Sequence, residues 1–150
     1  MKAVIQRVSE ASVMVDQKVC AVMRKGLLIL LGIEDEDGDE DIDWLCRKII
    51  NMRIFNDEDG VMNESLQSIG GEAIIVSQFT LHASTKKGNR PSYIKAAKPE
   101  FAEPMYEKFI RIFEERFEKF VGSGVFGGDM KVSLINDGPV TILLDSKDKR

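Results

Sequence analysis

The sequence predicts an α+β fold: a single domain over residues 1–150, with a curved, mostly antiparallel sheet or partial barrel of about eight strands backed by two main helices. Three observations lead there. Apolar and polar residues alternate from Lys2 to Ser9, the period of a strand. The continuously apolar run Gly26–Ile33 and the segment Ala73–Phe79, which opens on the apolar run Ala73–Val76, read as buried strands. Only two stretches carry apolar residues at helical spacing. A chain of 150 residues is long enough to enclose a substantial core.

In the first strand, Val4, Gln6 and Val8 share one face, and Ala3, Ile5 and Arg7 share the other. Ser12–Val15 and Val19–Val22 flank Asp16-Gln17-Lys18, a hairpin. The acidic run Glu34–Asp43 has the composition of a calcium loop, but Gly38 comes too early and Cys46 occupies the closing position. It reads better as a solvated loop leading into a helix, whose first turn favours acids. That helix covers about 39–52, with Ile42, Leu45, Cys46 and Ile49 as its apolar stripe. Asn56–Gly60 makes a turn between Arg53–Phe55 and Val61–Met62. After the strand Ala73–Phe79, a basic loop of about 15 residues runs from His82 to Lys98, a length that hints at function. A second helix covers about 99–120, its stripe being Phe101, Met105, Phe109, Ile112, Phe113, Arg116 and Phe120. Pro99 suits a first helical position, while Pro104 is awkward inside and moves the expected start toward Glu103. Strands Asp129–Ile135 and Val140–Asp145 follow, and Lys147–Arg150 reads as a frayed tail.

Composition narrows the chemistry. The longest apolar run, Leu27–Ile33, is far short of the roughly 18 residues of a membrane span. The segment after Met1 lacks the apolar centre and cleavage site of a signal peptide, so a soluble, cytoplasmic protein with no membrane partner is expected. Cys20 and Cys46 form no CxxC pair and read as reduced, partly buried thiols. His82 is the single histidine, and no metal site or cofactor is expected. Net charge is −4, which argues weakly against nucleic acid. Yet no Asp or Glu falls between Ala73 and Pro99, where Lys86, Lys87, Arg90, Lys95 and Lys98 cluster. Such a segment can bind phosphates locally.

Two segments could carry chemistry. Polar residues appear abruptly at Ser77, and alternation places Ser77, Phe79 and Leu81 on one face, Gln78, Thr80 and His82 on the other. Thr80 as an activated nucleophile would need His82 as its base, and no third member orients the pair. Asn136-Asp137-Gly138-Pro139 could be a hairpin turn between two strands. Its functional reading requires a cis peptide before Pro139, which would give a rigid edge of backbone carbonyls.

Ser77-Gln78-Phe79-Thr80-Leu81 and Asn136-Asp137-Gly138-Pro139-Val140-Thr141 resemble the two signatures of the D-aminoacyl-tRNA deacylase (D-tyrosyl-tRNA deacylase) family. The opening Met1–Val8, the segment Lys87–Ser92 and the segment Phe126–Met130 are also similar to family segments, in the same order along the whole chain. The resemblance implies a homodimeric esterase that hydrolyses the bond between a D-amino acid and tRNA, and also accepts glycine mischarged on tRNA(Ala). It implies that Gly138-Pro139 is cis and acts in the partner subunit's pocket, rejecting L-aminoacyl groups by steric exclusion. Arg7 would brace that loop. Phe79 would stabilise the oxyanion through its N–H, with Ser77 and Gln78 lining the pocket. The 2′-hydroxyl of the terminal adenosine would drive much of the catalysis, leaving Thr80 a positioning role. Lys86, Lys87 and Arg90 would contact tRNA phosphates. Phe126 and Met130 would flank the terminal adenosine, although core packing accounts for both almost as well. The alternative reading is a non-catalytic RNA-binding module, which leaves both signatures unused.

Overall fold

The computed structural model describes residues 1–150. Its central strand is β1 (Lys2–Val15), one continuous element where two shorter strands were expected. Along one edge β1 pairs antiparallel with β8 (Met130–Asp145). Its other edge is shared between β3 (Gly26–Gly32), opposite Lys2–Val8, and β2 (Lys18–Met23), opposite Ala11–Val15. Parallel pairing then extends the sheet through β6 (Glu72–Ser77) to β7 (Gly122–Ser123). The sheet curls until Gly122 faces Ala21 of β2, nearly closing a barrel. A small hairpin, β4 (Phe55–Asn56) with β5 (Met62–Glu64), completes the eight strands. Its turn is fastened by Asp57, whose carboxylate accepts the Asp59 and Val61 amides at 2.9 and 3.0 Å.

Strand alternation splits the interior in two. Ala3, Ile5, Leu27, Ile29, Leu31 and Ile75 face the helices in the larger core, while Val8, Ala11, Val13, Leu28, Ile74 and Val76 fill the barrel side. Strand β3 is therefore buried on both faces, as its unbroken apolar run predicts. Each such side chain is worth about 1.5–3 kcal/mol relative to exposure.

Helix α1 (Asp39–Asn51) buries Ile42, Leu45, Cys46, Ile49 and Ile50. The Gly38 amide donates to the Asp41 carboxylate at 2.8 Å, which caps its start. The acidic run before it is less solvated than expected. Asp37 and Asp41 are buried; Asp37 pairs with the Met1 amine, and Asp41 with Lys147 at 3.0 Å. For the same reason the expected frayed tail is tethered at its first residue: Lys147, next to the buried Ser146, also donates to the Glu36 carbonyl at 3.2 Å, while Asp148, Lys149 and Arg150 are exposed. Cys46 is fully buried and burial pushes its thiol up to about 12, whereas Cys20, expected to be partly covered, is exposed.

Helix α2 (Pro99–Phe117) starts at Pro99, not near Glu103. Burial of Ala102 and Tyr106 holds its first turns while Pro104 stays on the exposed side. The core face is Ala102, Tyr106, Phe109, Phe113 and Phe117, rotated from the expected stripe. Phe101 is exposed because the face that turns to the core carries Ala102 and Tyr106, and Phe120 is exposed because Glu118 adopts a left-handed conformation (φ 57) and ends the helix before it. No helix is long and apolar enough to cross a membrane.

Candidate active site

Strand β6 stops at Ser77, opposite Leu31. The Gln78 amide donates to the Leu31 carbonyl at 2.7 Å, after which the chain tightens into a 3-10 turn over Phe79–His82. The expected two-face alternation ends there. Phe79 turns outward, 56% exposed, and His82 turns inward, 3% exposed. Gly32 makes this possible: a Cβ at that position would lie 3.0 Å from the Gln78 carbonyl oxygen and 3.1 Å from the His82 ring. His82 Nδ1 lies 3.8 Å from the Glu34 carboxylate, and its Nε2 is buried without a partner. Thr80 Oγ1 instead accepts a hydrogen bond from Gln78 Nε2 at 2.6 Å. No histidine base therefore engages the Thr80 hydroxyl, and the nucleophile reading loses its required partner.

Beside this turn lies a cavity of about 630 Å³. Ser77, Gln78 and Phe79 form one wall, and Phe126 and Met130 stand on the other. Five residues singled out from separate parts of the sequence thus converge. Leu31, Ile33 and Val76 make its floor apolar, a common property of small-ligand pockets. Tyr106 ties the walls together from behind. Its hydroxyl donates to the Ile75 carbonyl at 2.6 Å, and its ring packs 5.8 Å from that of Phe126. Burial pushes the Tyr106 phenol up to about 12, so it stays a neutral donor at physiological pH. Tyr93, not anticipated, also lines the cavity and meets Phe79 edge to face at 5.2 Å. Its place directly after the Lys87–Ser92 segment was the available signal.

The basic loop is pinched at its base by reciprocal hydrogen bonds between Ser84 and Ser92, at 2.8 and 2.9 Å. Lys86, Lys87 and Arg90 lie exposed on the pinched segment, outside the cavity wall.

Gly138 and Pro139 also lie outside the cavity, and they form no hairpin. They sit inside the single strand β8, joined by a cis peptide. Thr141 pairs with Gln6 and Asn136 with Val8, so the intervening residues of β8 bulge out opposite Arg7. Arg7 is only 7% exposed and grips the bulge from beneath. Its Nε donates to the Asp137 carbonyl at 3.0 Å, and Nη1 donates to the Ile54 carbonyl at 2.7 Å and to Asn56 Oδ1 at 3.3 Å. Gly138 has φ +123, a conformation side chains disfavour, and a Cβ there would sit 2.6 Å from Arg7 Nη2. Gly138 and Pro139 themselves stand exposed.

No three His, Cys, Asp or Glu side chains converge in a metal-binding arrangement.

The family model described as D-Tyr-tRNA(Tyr) deacylase matches residues 4–145. The chain belongs to this family. A D-aminoacyl-tRNA deacylase of Christiangramia forsetii is 81% identical over 150 residues, covering all of both chains. The D-aminoacyl-tRNA deacylase of Flavobacterium johnsoniae is 64% identical over 149 residues, covering 99% of each. Among solved structures, the c-Myc DNA Unwinding Element Binding Protein superposes with a TM-score of 0.90 at 40% identity, covering 97% of this chain and 98% of that one. The deacylase family's match spans both walls of the cavity and the β8 bulge.

Proposed function

We propose that this chain hydrolyses the ester bond of D-aminoacyl-tRNA in the cytoplasm, releasing the free D-amino acid and tRNA. The observation that carries the proposal is spatial. The Ser77–Phe79 wall opens on a cavity of amino-acid and nucleoside scale, while the braced, exposed Gly138-Pro139 edge of the same chain lies elsewhere. A second copy of the chain would bring that edge to the cavity. The outer edge of β8 has no strand partner in the chain, and Leu134, Ile135 and Leu143 are exposed along β8, which supports a homodimer.

In the complex, Gly138 and Pro139 of one subunit crowd the position of an L side chain and leave a D side chain free. Glycine on tRNA(Ala) has no side chain to exclude and is accepted. Ser77 and Gln78 line the pocket, and the Phe79 N–H stabilises the developing oxyanion. Phe126 and Met130 flank the terminal adenosine. Lys86, Lys87 and Arg90 hold tRNA phosphates. With His82 facing Glu34 and making no hydrogen bond to Thr80, the reaction relies on the RNA's own 2′-hydroxyl.

The test is cleavage of labelled D-tyrosyl-tRNA and L-tyrosyl-tRNA. The D ester should disappear at catalytic protein levels while the L ester persists. Survival of both esters would leave the RNA-binding module as the better reading. Cleavage of free D-aminoacyl esters at comparable rates would indicate a small-molecule esterase. Thr80→Ala should retain substantial activity, and a 2′-deoxy terminal adenosine should lose most of it.

A further inference from the structure

The β8 bulge is gripped on two sides, and only one grip involves Arg7. Adjacent strand residues point to opposite faces, so Gln6 addresses the bulge from the face opposite Arg7. Gln6 Oε1 accepts a hydrogen bond from Asn136 Nδ2 at 2.6 Å and another from Thr141 Oγ1 at 2.5 Å. Asn136 Nδ2 also donates to Thr141 Oγ1 at 3.1 Å, and Asn136 Oδ1 accepts the Val140 amide at 3.2 Å. Asn136 and Thr141 are the residues at which β8 leaves and rejoins its pairing with β1. The single Gln6 oxygen therefore ties the two feet of the bulge together. The Asn136 carbonyl in turn fixes the amide directly after Pro139.

We propose that Gln6 is a specificity-determining positioning residue: by pinning Asn136 and Thr141 it sets the reach and tilt of the Gly138-Pro139 edge. The inference rests on the proposed rejection of L-aminoacyl groups by that edge. Arg7 controls the depth of the bulge, since it holds the Asp137 carbonyl. Gln6 controls its width. A bulge held by Arg7 alone keeps its place but splays, and a splayed edge admits the L side chain it should exclude. Only the acceptor oxygen of Gln6 is used within the chain, so a carboxylate in its place preserves the arrangement, while a thioether of similar length removes it.

The experiment compares kcat/KM on D- and L-tyrosyl-tRNA for Gln6→Met, Gln6→Glu and the unaltered protein, with thermal unfolding alongside. Gln6→Met should lower the D-over-L ratio by about ten-fold or more, carried by faster L cleavage, as expected from losing two hydrogen bonds that hold the edge. Gln6→Glu should restore the ratio. An unchanged ratio in folded Gln6→Met, or an equal loss in Gln6→Met and Gln6→Glu, overturns the proposal. If Gln6→Met does not fold, Thr141→Val, which removes one donor and keeps side-chain shape, should lower the ratio in the same direction; no change there also overturns it. Pro139→Ala serves as the control for the underlying reading. If Pro139→Ala leaves the ratio intact, the edge does not discriminate at all, and that failure is distinct from a failure at Gln6.

Discussion

Replacing Arg7 with Met tests how far the bulge depends on a single buried guanidinium. The substitution keeps the stem's apolar packing but removes every donor. The Ile54 and Asp137 carbonyls then lose partners now held at 2.7 and 3.0 Å. The orphaned buried Ile54 carbonyl costs about 1–3 kcal/mol, and the Asp137 carbonyl, on an exposed residue, costs less. Part of that returns because a desolvated cation is no longer buried, leaving a net loss of about 2 kcal/mol. At about 2–4 °C per kcal/mol for a chain of this length, Tm should fall by about 4–8 °C. Scanning calorimetry at fixed protein concentration reads the shift, and the concentration must be held because association adds apparent stability. Arg7→Lys should fall between the two, since an ammonium on a flexible stem replaces a planar fork reaching two separate carbonyls. A Tm within about 2 °C of the unaltered protein for Arg7→Met would refute the accounting, because it is smaller than the cost of even one orphaned carbonyl.

Gly32→Ala should displace the Phe79–His82 turn by a few tenths of an ångström, given contacts of 3.0 Å to the Gln78 oxygen and to Leu81 Cβ. Deacylation should slow by about ten-fold or more in a protein that still folds, read as kcat against circular dichroism. Asp41 carries a pH signature. Burial raises its carboxyl, but hydrogen bonds from Ser146, the Gly38 amide and Lys147 outweigh this and hold it at about 2 against an ordinary 3.8. A depressed folded value means the stabilisation is complete above 3.8 and is lost as pH falls toward about 2. Asp41→Asn should therefore be less stable by about 2 kcal/mol at pH 7, with the gap closing through that acid window in denaturant titrations. Finally, Lys86→Ala with Lys87→Ala should raise KM for charged tRNA and flatten its dependence on salt, each lost phosphate contact removing about 0.7–0.9 from the log–log slope.

Local periodicity made most elements readable, because hairpins and helices are built from neighbours in sequence. Helix α1 shows this: Ile42, Leu45, Cys46 and Ile49 are the face it buries. Helix α2 shows the limit. Phe101 and Met105 stand at the same helical spacing as Ala102 and Tyr106, and only packing against β6 selects the second pair. Asn136–Pro139 read as a turn because its residues favour reversal. Strand β8 runs straight through it because β1 offers a partner on both sides of the bulge. The cavity was legible where motifs marked it, at Ser77, Gln78, Phe79, Phe126 and Met130. Gln6 was not, since an alternating strand gives no sign that its amide meets residues 130 positions away. The tether at Lys147 was hidden for a similar reason: Lys147 is charged and near the end of the chain, yet its partner Asp41 lies 106 positions back.

Strand β8 supplies both Met130 in the cavity wall and the bulge at Gly138. Its pairing with β1 joins residues far apart in sequence, Arg7 and Asp137 being 130 positions apart. Such distant pairings are slow to form, because the entropy of closure must be overcome before the contacts return anything. The cavity wall at Met130 and the Gly138-Pro139 edge therefore depend on the same long-range pairing. A polypeptide lacking β8 would lose Met130 and Val132 from the cavity lining together with the exposed Gly138-Pro139 edge.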